Sequence, residues 1–356
     1  MNLIVCEVVN DTLSPIKIID DAISVIWVQR YNEAGEFEAY LRASAENLQL
    51  FSVERYIIRE DTESVMISEK VVLTTDAENG NYMTVTGRSA ESLLSRRVTT
   101  RLYNYQNTNV ENIVRALILT NIGSQTGAAR RIPLISLGAA AGFTNTVEHM
   151  QILGGTIYDA ITEIAKNQNW GVKVTLDRSA GNLVFNLYTG TDRTFSQIDR
   201  PAVVFSPDYD DLCSSEYETD RTDAATVAYV AGEEVNGARP IIEVNPNTST
   251  GINRREIYLE ADANTQKGTM TDAEYQSVLT QRGVDSLAQR REAVNFSGEV
   301  LYHSQFVFGR DYFIGDKVQI SNGYGIEGAA YVTEMTEVDD ENGYIIRPTL
   351  SQWVVN

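Results

Sequence analysis

The chain has 356 residues, is 43% hydrophobic and carries a formal net charge of −20. A chain of that length and composition predicts roughly two to four cored domains and excludes an intrinsically disordered protein. The acidic balance also disfavours a nucleic-acid binder, because basic residues cluster only as the pairs Arg96-Arg97, Arg130-Arg131, Arg254-Arg255 and Arg290-Arg291, each of which reads as a solvated helix or loop edge.

The N-terminal run MNLIVCEVVND has no basic start and is too short for a secretory leader. The longest apolar stretches reach about half of a membrane span. Ile23–Tyr31 and Glu36–Ala43 are rich in β-branched and aromatic residues and predict a hairpin. Phe37, Ala39 and Leu41 alternate with Glu36, Glu38 and Tyr40, the period of a half-buried strand. Val71–Thr75 and Tyr82–Thr86 predict a second hairpin, with Asn79-Gly80 supplying the positive-φ residues of its turn.

The middle of the chain turns helical. Thr108-Asn109-Val110-Glu111 has the form of a capping box, followed by Ile113, Val114, Leu117 and Ile118 on one face. Residues 123–145 are rich in small residues and read as a loop. A second helix is predicted from Thr156, with Ile157, Ala160, Ile161, Ile164 and Ala165 inward and a stop before Gly171. Val172–Leu176 and Leu183–Tyr188 predict a hairpin around Asp177–Gly181.

Strand patterns return at Ala202–Phe205 and Ala225–Val230, and residues 232–253 read as an exposed loop. Thr271-Asp272-Ala273-Glu274 is another capping box, opening a helix with Tyr275, Val278, Leu279 and Leu287 inward. Val294–Phe308, Lys317–Ile320, Tyr331–Val338 and Tyr344–Leu350 predict a β tail, with Asp339–Gly343 turning its last hairpin.

The chemistry-bearing residues form no recognisable site. His149 and His303 are the only histidines, and neither has a cysteine or second histidine at metal-ligand spacing. Cys6 and Cys213 read as reduced thiols of a chain made in a cytoplasm. The nucleophile elbow, the phosphate loop and the dinucleotide fingerprint are all missing, and Gly87-Arg88-Ser89-Ala90 reads as a helix start after a strand. Glu33, Glu36 and Glu38, or Asp208, Asp210 and Asp211, are the candidate carboxylates for glycoside hydrolysis; the first group flanks a turn and the second lacks calcium-loop spacing. No catalytic residue, cofactor or metal is expected.

The C-terminal third carries an ordered series of motifs. Tyr229-Val230-Ala231-Gly232 is followed by Ala238-Arg239-Pro240, then by Gly251-Ile252-Asn253-Arg254-Arg255-Glu256 and Glu260-Ala261-Asp262-Ala263. Gln281-Arg282-Gly283-Val284 and Leu287 lie on the helix. Asp311-Tyr312-Phe313-Ile314-Gly315-Asp316-Lys317-Val318-Gln319-Ile320 and Arg347-Pro348-Thr349-Leu350 close the series. With Asn32–Leu41 near the start, this order resembles the siphovirus Gp37-like tail proteins, related to baseplate hubs and to the N-terminal part of tail-associated lysins.

The resemblance implies a β-rich α+β hub with two barrel-like β-domains, a small α/β insertion and a C-terminal helix with a β-domain. The expected layout is an N-terminal β-domain over 1–96, the insertion over 97–198, a second barrel-like domain over 199–270 and the closing helix and β-domain over 271–356. Gly251, Arg254, Arg255, Glu256, Gly283, Gly315 and Asp316 are the expected structural positions. Gly315-Asp316 would launch a strand, and Arg254, Arg255 and Glu256 would make ion pairs between segments.

The implied assembly is a homotrimeric ring in the virion tail tip, enclosing the DNA path without stably binding DNA or a membrane. Its expected partners are a distal tail protein or tube ring, the tape-measure protein and a tip or fibre protein. The chain ends at Asn356, directly after the last predicted strand, so a lysin is expected from another protein. A carbohydrate-binding tip adhesin and a cell-wall hydrolase using acidic residues are the alternative readings.

Overall fold

A computed structural model describes residues 1–78, 80–206, 212–234, 237–262, 265–300, 305–321 and 327–355, without the side chains of 212–215, 293–300, 327 and 351–355. Asn79, Asp208, Asp210, Asp211, Ala263 and His303 therefore lie outside the described residues, as does the side chain of Cys213.

β1 (Leu3–Val9) and β2 (Thr12–Ile19) form a tight hairpin through Asn10 and Asp11, both at positive φ. β3 (Ser24–Arg30) and β4 (Glu36–Arg42) form the predicted second hairpin. Phe37, Ala39 and Leu41 are buried and Glu36 and Glu38 exposed, as the period of two requires. A short helix α1 (Ala45–Leu50), capped by Ser44, precedes β5 (Tyr56–Ile58). β6 (Val65–Asp76) and β7 (Gly80–Ser89) begin their pairing well before the predicted arms. The first four residues of β6 are buried and the distal half is largely exposed. Gly80 has φ +93°, the conformation its turn needs. β7 runs into a 3-10 turn, Ala90–Arg96, which buries Leu93 and Leu94.

The next block holds β8 (Tyr103–Asn109), α2 (Val110–Asn121), β9 (Ile135–Leu137), β10 (Thr146–Ile152), α3 (Ile157–Gln168), β11 (Gly171–Asp177) and β12 (Asn182–Tyr188). The expected Thr108/Glu111 capping box does not form. Asn109 is the cap, accepting from the Asn112 N–H at 3.0 Å. Glu111 is buried and instead accepts from the backbone N–H groups of Ala141, Gly142 and Phe143, pinning the following loop to the helix. That loop also contains β9, which pairs parallel to β12. α3 has the predicted helix start, a capping box between Thr156 and Asp159, and ends on Asn169 in the left-handed region. One hydrophobic cluster joins Ile113, Leu117, Ile157, Ile161 and Phe185 of this block to Cys6, Ile58, Val65, Ile67 and Leu94 before it.

β13 (Asp192–Arg193), β14 (Val204–Phe205) and β15 (Leu212–Asp220) follow. β16 (Val227–Ala231), β17 (Ile241–Val244) and β18 (Glu256–Leu259) form a separate three-stranded sheet. β17 lies inside the segment expected to be loop; it is short and mostly exposed, so its apolar pattern is weak. α4 (Asp272–Gln289) starts at the predicted Thr271/Glu274 capping box and packs Tyr275, Leu279 and Leu287 against Ala228, Val230 and Val244.

The tail supplies β19 (Ala293–Val300), β20 (Lys317–Ser321), β21 (Glu327–Asp340) and β22 (Gly343–Val355). β21 pairs antiparallel with β3, placing Glu334 opposite Arg30 and Thr336 opposite Val28. This joins both ends of the chain in one 14-stranded sheet, whose main path runs β15-β19-β22-β21-β3-β4-β7-β6-β5-β1-β2, with β20 on β21 and β13 and β14 on β20. Among the described residues the path stays open, ending at β15 and β2. No described helix is long and apolar enough to cross a membrane.

Candidate assembly site

Gly315 and Asp316 form the turn that launches β20, as their residue types suggest. Gly315 has φ +91°, and a Cβ there would lie 2.4 Å from Tyr31 Cε2. Tyr31 is buried, stacks edge-on with Tyr188 at 5.4 Å and donates its hydroxyl to Asn169 O at 2.9 Å. Asp316 is buried and receives Thr191 N–H at 2.7 Å, Arg193 Nε–H at 2.5 Å and Phe313 N–H at 3.0 Å. The carboxylate thus fastens the segment leaving β12 to the C-terminal sheet, beside a tyrosine from the N-terminal hairpin.

Just beyond β13, a loop is held rigid by its own polar groups. Thr194 N–H and Oγ1–H both donate to Asp192 Oδ1, at 2.9 and 2.7 Å. Gln197 Nε2 donates to Thr194 O and Arg200 O, and Arg200 N–H donates back to Gln197 Oε1 at 2.9 Å. This braced loop presents Phe195 at 65% and Ile198 at 97% exposure. Large apolar side chains on an ordered loop suit a protein contact, since little ordering remains to be lost on binding.

The other expected positions gather on the small sheet. Gly251 has φ +58° and opens a 3-10 turn beside Ile252, which is 96% exposed. Arg254 reaches Glu243 on β17 at 3.0 Å, pairs with Glu256 on β18, and donates to the Tyr229 hydroxyl on β16 at 2.7 Å. It therefore clamps all strands of that sheet. Arg255 donates to Arg221 O, and its N–H donates to Thr226 Oγ1 at 3.0 Å.

Gly283 lies on the buried face of α4, where a Cβ would stand 2.5 Å from Val244 Cγ2 and 3.0 Å from Val230 Cγ2. Gly283→Ala should gain about 1 kcal/mol of helix propensity but meet about 1–3 kcal/mol of overpacking against stiff valines. The expected net is a loss of about 1 kcal/mol, readable as a lowered thermal midpoint; a raised midpoint would show that the sheet yields.

Two of the described candidate carboxylates are held in ion pairs. Glu33 is engaged by Lys166 and Glu36 by Arg30 at 3.0 Å. His149 lies half-buried on β10. Among the described residues no group of three His, Cys, Asp or Glu could hold a metal ion. Cys6 is buried without a disulfide, and burial pushes its thiol up to about 11.

The Siphovirus ReqiPepy6 Gp37-like protein family matches residues 5–350. The chain belongs to this family. No curated protein matches it. The Gp37-like chain shares its fold with phage tail proteins of known structure. It is similar to the tail protein from Neisseria meningitidis MC58, at 12% identity and TM-score 0.58, over 98% of this chain and 96% of that one. It is similar to the 43 kDa tail protein of prophage MuSo2 from Shewanella oneidensis, at 11% identity and TM-score 0.54, over 98% of each chain. Prophage tail protein gp18 from Listeria monocytogenes EGD-e matches at 12% identity and TM-score 0.50, over 98% of this chain and 94% of that one.

In this Gp37-like protein, sequence reasoning found Gly315-Asp316 but missed their partners Tyr31, Gly190, Thr191 and Arg193. A Cβ on Gly190 would lie 1.9 Å from Gly315 C, yet nothing in the local sequence marks that contact. The braced loop did have a local signal, Asp192, Thr194 and Ser196 at alternate positions, of the kind that makes Asx and ST turns.

Proposed function

We propose that this phage tail protein is a baseplate or tail-tip hub that assembles as a homotrimeric ring around the DNA path. Membership of the Gp37-like family over residues 5–350 carries the reading. In the ring each copy contributes two barrel-like β-domains. The ring joins the tail tube or distal tail protein to a tip or fibre protein and meets the tape-measure protein. The net charge of −20 supports a lumen that lets DNA pass without holding it. The protein is made in the host cytoplasm, resides in the virion tail tip and works as a scaffold.

Light scattering on the purified chain tests this directly: a trimer is expected, and a monomer at all accessible concentrations would sink the proposal. Clearing of cell-wall substrate by the pure chain would oppose the scaffold role. Phe195 and Ile198 are proposed to lie in a subunit contact. Phe195→Ser with Ile198→Asp should dissociate the trimer while changing monomer stability by no more than about 0.5 kcal/mol. Retention of the trimer would move the contact elsewhere.

A further inference from the structure

Arg96-Arg97 and Arg130-Arg131 are separate basic pairs in the sequence, and the fold brings them together. Arg97 Nε donates to Arg130 O at 2.7 Å, and Arg130 Nη2 donates to Val98 O at 2.6 Å. Arg131 is held on the same loop, donating to Thr126 O at 3.0 Å and Ser124 O at 2.9 Å. Arg130 also reaches Asn121, whose amide donates to the Tyr103 hydroxyl at 2.8 Å. The Arg101 guanidinium stands 4.8 Å from the centre of the Tyr103 ring. These contacts gather Arg97, Arg101, Arg130 and Arg131 on one surface, with Arg101 and Arg131 exposed and Arg97 and Arg130 half-buried.

The charge of this surface is not neutralised. Of these arginines only Arg96 has a carboxylate partner among the described residues, Glu54 at 2.7 Å. Arg97, Arg130 and Arg131 are anchored on uncharged oxygens, which fix their positions and leave their charge. Burial acts to raise the pKa of the Tyr103 hydroxyl, but its hydrogen bonds with Thr120, Arg101 and Asn121 outweigh that and hold it below the usual tyrosine range. The same segment exposes Val98 at 49% and Leu102 at 38%. Arginines whose tips are already ordered, set among apolar side chains, have the composition of a protein interface. A nucleic acid fits less well, because so few cations on a body of net charge −20 offer little counterion release.

Charge also selects the occupant. Two copies of a chain of net charge −20 repel each other unless surfaces of opposite sign meet. A cationic patch cannot face its own image across a two-fold axis. It must meet an acidic surface in a heterologous, head-to-tail contact, the kind that closes a ring. We propose that the patch of Arg97, Arg101, Arg130 and Arg131 docks on an acidic surface of a second copy of this chain. This contact presupposes the homotrimeric ring proposed above and relieves the repulsion between its copies.

Light scattering on the full chain across a dilution series at low salt tests the contact. Arg101→Glu with Arg131→Glu should raise the concentration at which the trimer dissociates about tenfold, since two attractive pairs become repulsive. The control Arg290→Glu with Arg291→Glu changes net charge equally at another exposed pair and should leave association as it is. Equal weakening in both variants would overturn the proposal, because overall acidity alone would then govern assembly. Hydrogen exchange on the wild-type chain needs no variant to fold: residues 97–102 and 124–131 should exchange more slowly in the trimer than in the dissociated chain, and equal exchange would overturn the docking. Duplex DNA retained by the wild type and lost in Arg101→Glu with Arg131→Glu would overturn it in favour of a polyanion site. A trimer that dissociates identically with and without the two arginines rejects the docking and leaves the ring; a wild-type monomer rejects both.

Discussion

Replacing Glu337 by leucine should cost about 3–5 kcal/mol of folding free energy, because it strands a buried guanidinium. Glu337 and Arg59 are each 3% exposed, and Arg59 Nη2 lies 2.9 Å from Glu337 Oε2. Tyr344 donates its hydroxyl to the same carboxylate. Arg59 Nε also donates to Asp61 at 2.9 Å, and its guanidinium stands 5.3 Å from the centre of the Trp27 ring. After the substitution Arg59 keeps Asp61, whose side chain is 65% exposed, and loses its buried counter-charge.

Urea unfolding followed by tryptophan emission reads the effect, since Trp27 lies against Arg59. The double change Arg59→Met with Glu337→Leu should recover most of the loss, because both desolvated charges go together. A cost below about 1 kcal/mol for Glu337→Leu, the range of a surface pair, would show that the pair is hydrated in solution.

Acid should weaken the same network. Burial acts to raise the Asp61 carboxyl, but its hydrogen bond and charge contact with Arg59 outweigh that and hold it below the usual carboxylate range. With the folded pKa below the unfolded value of about 3.9, the stabilisation is fully present above that pH. It is lost as pH falls through the folded pKa. Asp61→Asn should therefore flatten the acid limb of the stability profile; an unchanged limb would assign acid sensitivity to other groups.

Asp316→Ala should cost about 3 kcal/mol, since it removes the acceptor for two backbone N–H groups and the partner of Arg193. The Arg193 side chain is 15% exposed, so water can only partly replace the carboxylate. The lesion should be local before it is global. Thr191 and Arg193 lead directly into the braced loop, and freeing them should expose the Arg193–Thr194 bond to trypsin under native conditions. Asp316→Asn keeps one acceptor oxygen and should fall between the wild type and Asp316→Ala. Equal trypsin resistance in all three would mean that the β13–β20 pairing and the Gly190–Gly315 contact hold the segment without the carboxylate.

Sequence reasoning reached as far as local signals extend. Hairpins β3–β4 and β11–β12 and the starts of α3 and α4 follow from turn chemistry and capping residues a few positions apart. The β3–β21 pairing and the Arg59–Glu337 pair join residues roughly three hundred positions apart, and no spacing rule encodes such contacts. Glu111 misled because a glutamate in the first turn of a helix can serve its own cap or a neighbouring loop, and the Gly-Ala loop at 141–143 presented N–H groups that only tertiary structure brings close. The expected structural positions were partly legible: Gly315-Asp316 was visible as a turn, but its role as a three-way fastening depends on partners from other parts of the chain.

The placement of β3 between β4 and β21 also constrains the order of folding. β3 leaves the ribosome roughly three hundred residues ahead of β21, its neighbour on one side. Until then that side of β3 is an open strand edge, free to pair with a wrong chain. The long sheet can close over β3 only after translation of the tail, a high-contact-order step that should be slow. Nascent chains that stall before residue 327 should therefore be held by chaperones or aggregate, and only chains that carry β21 should reach an assembling tail.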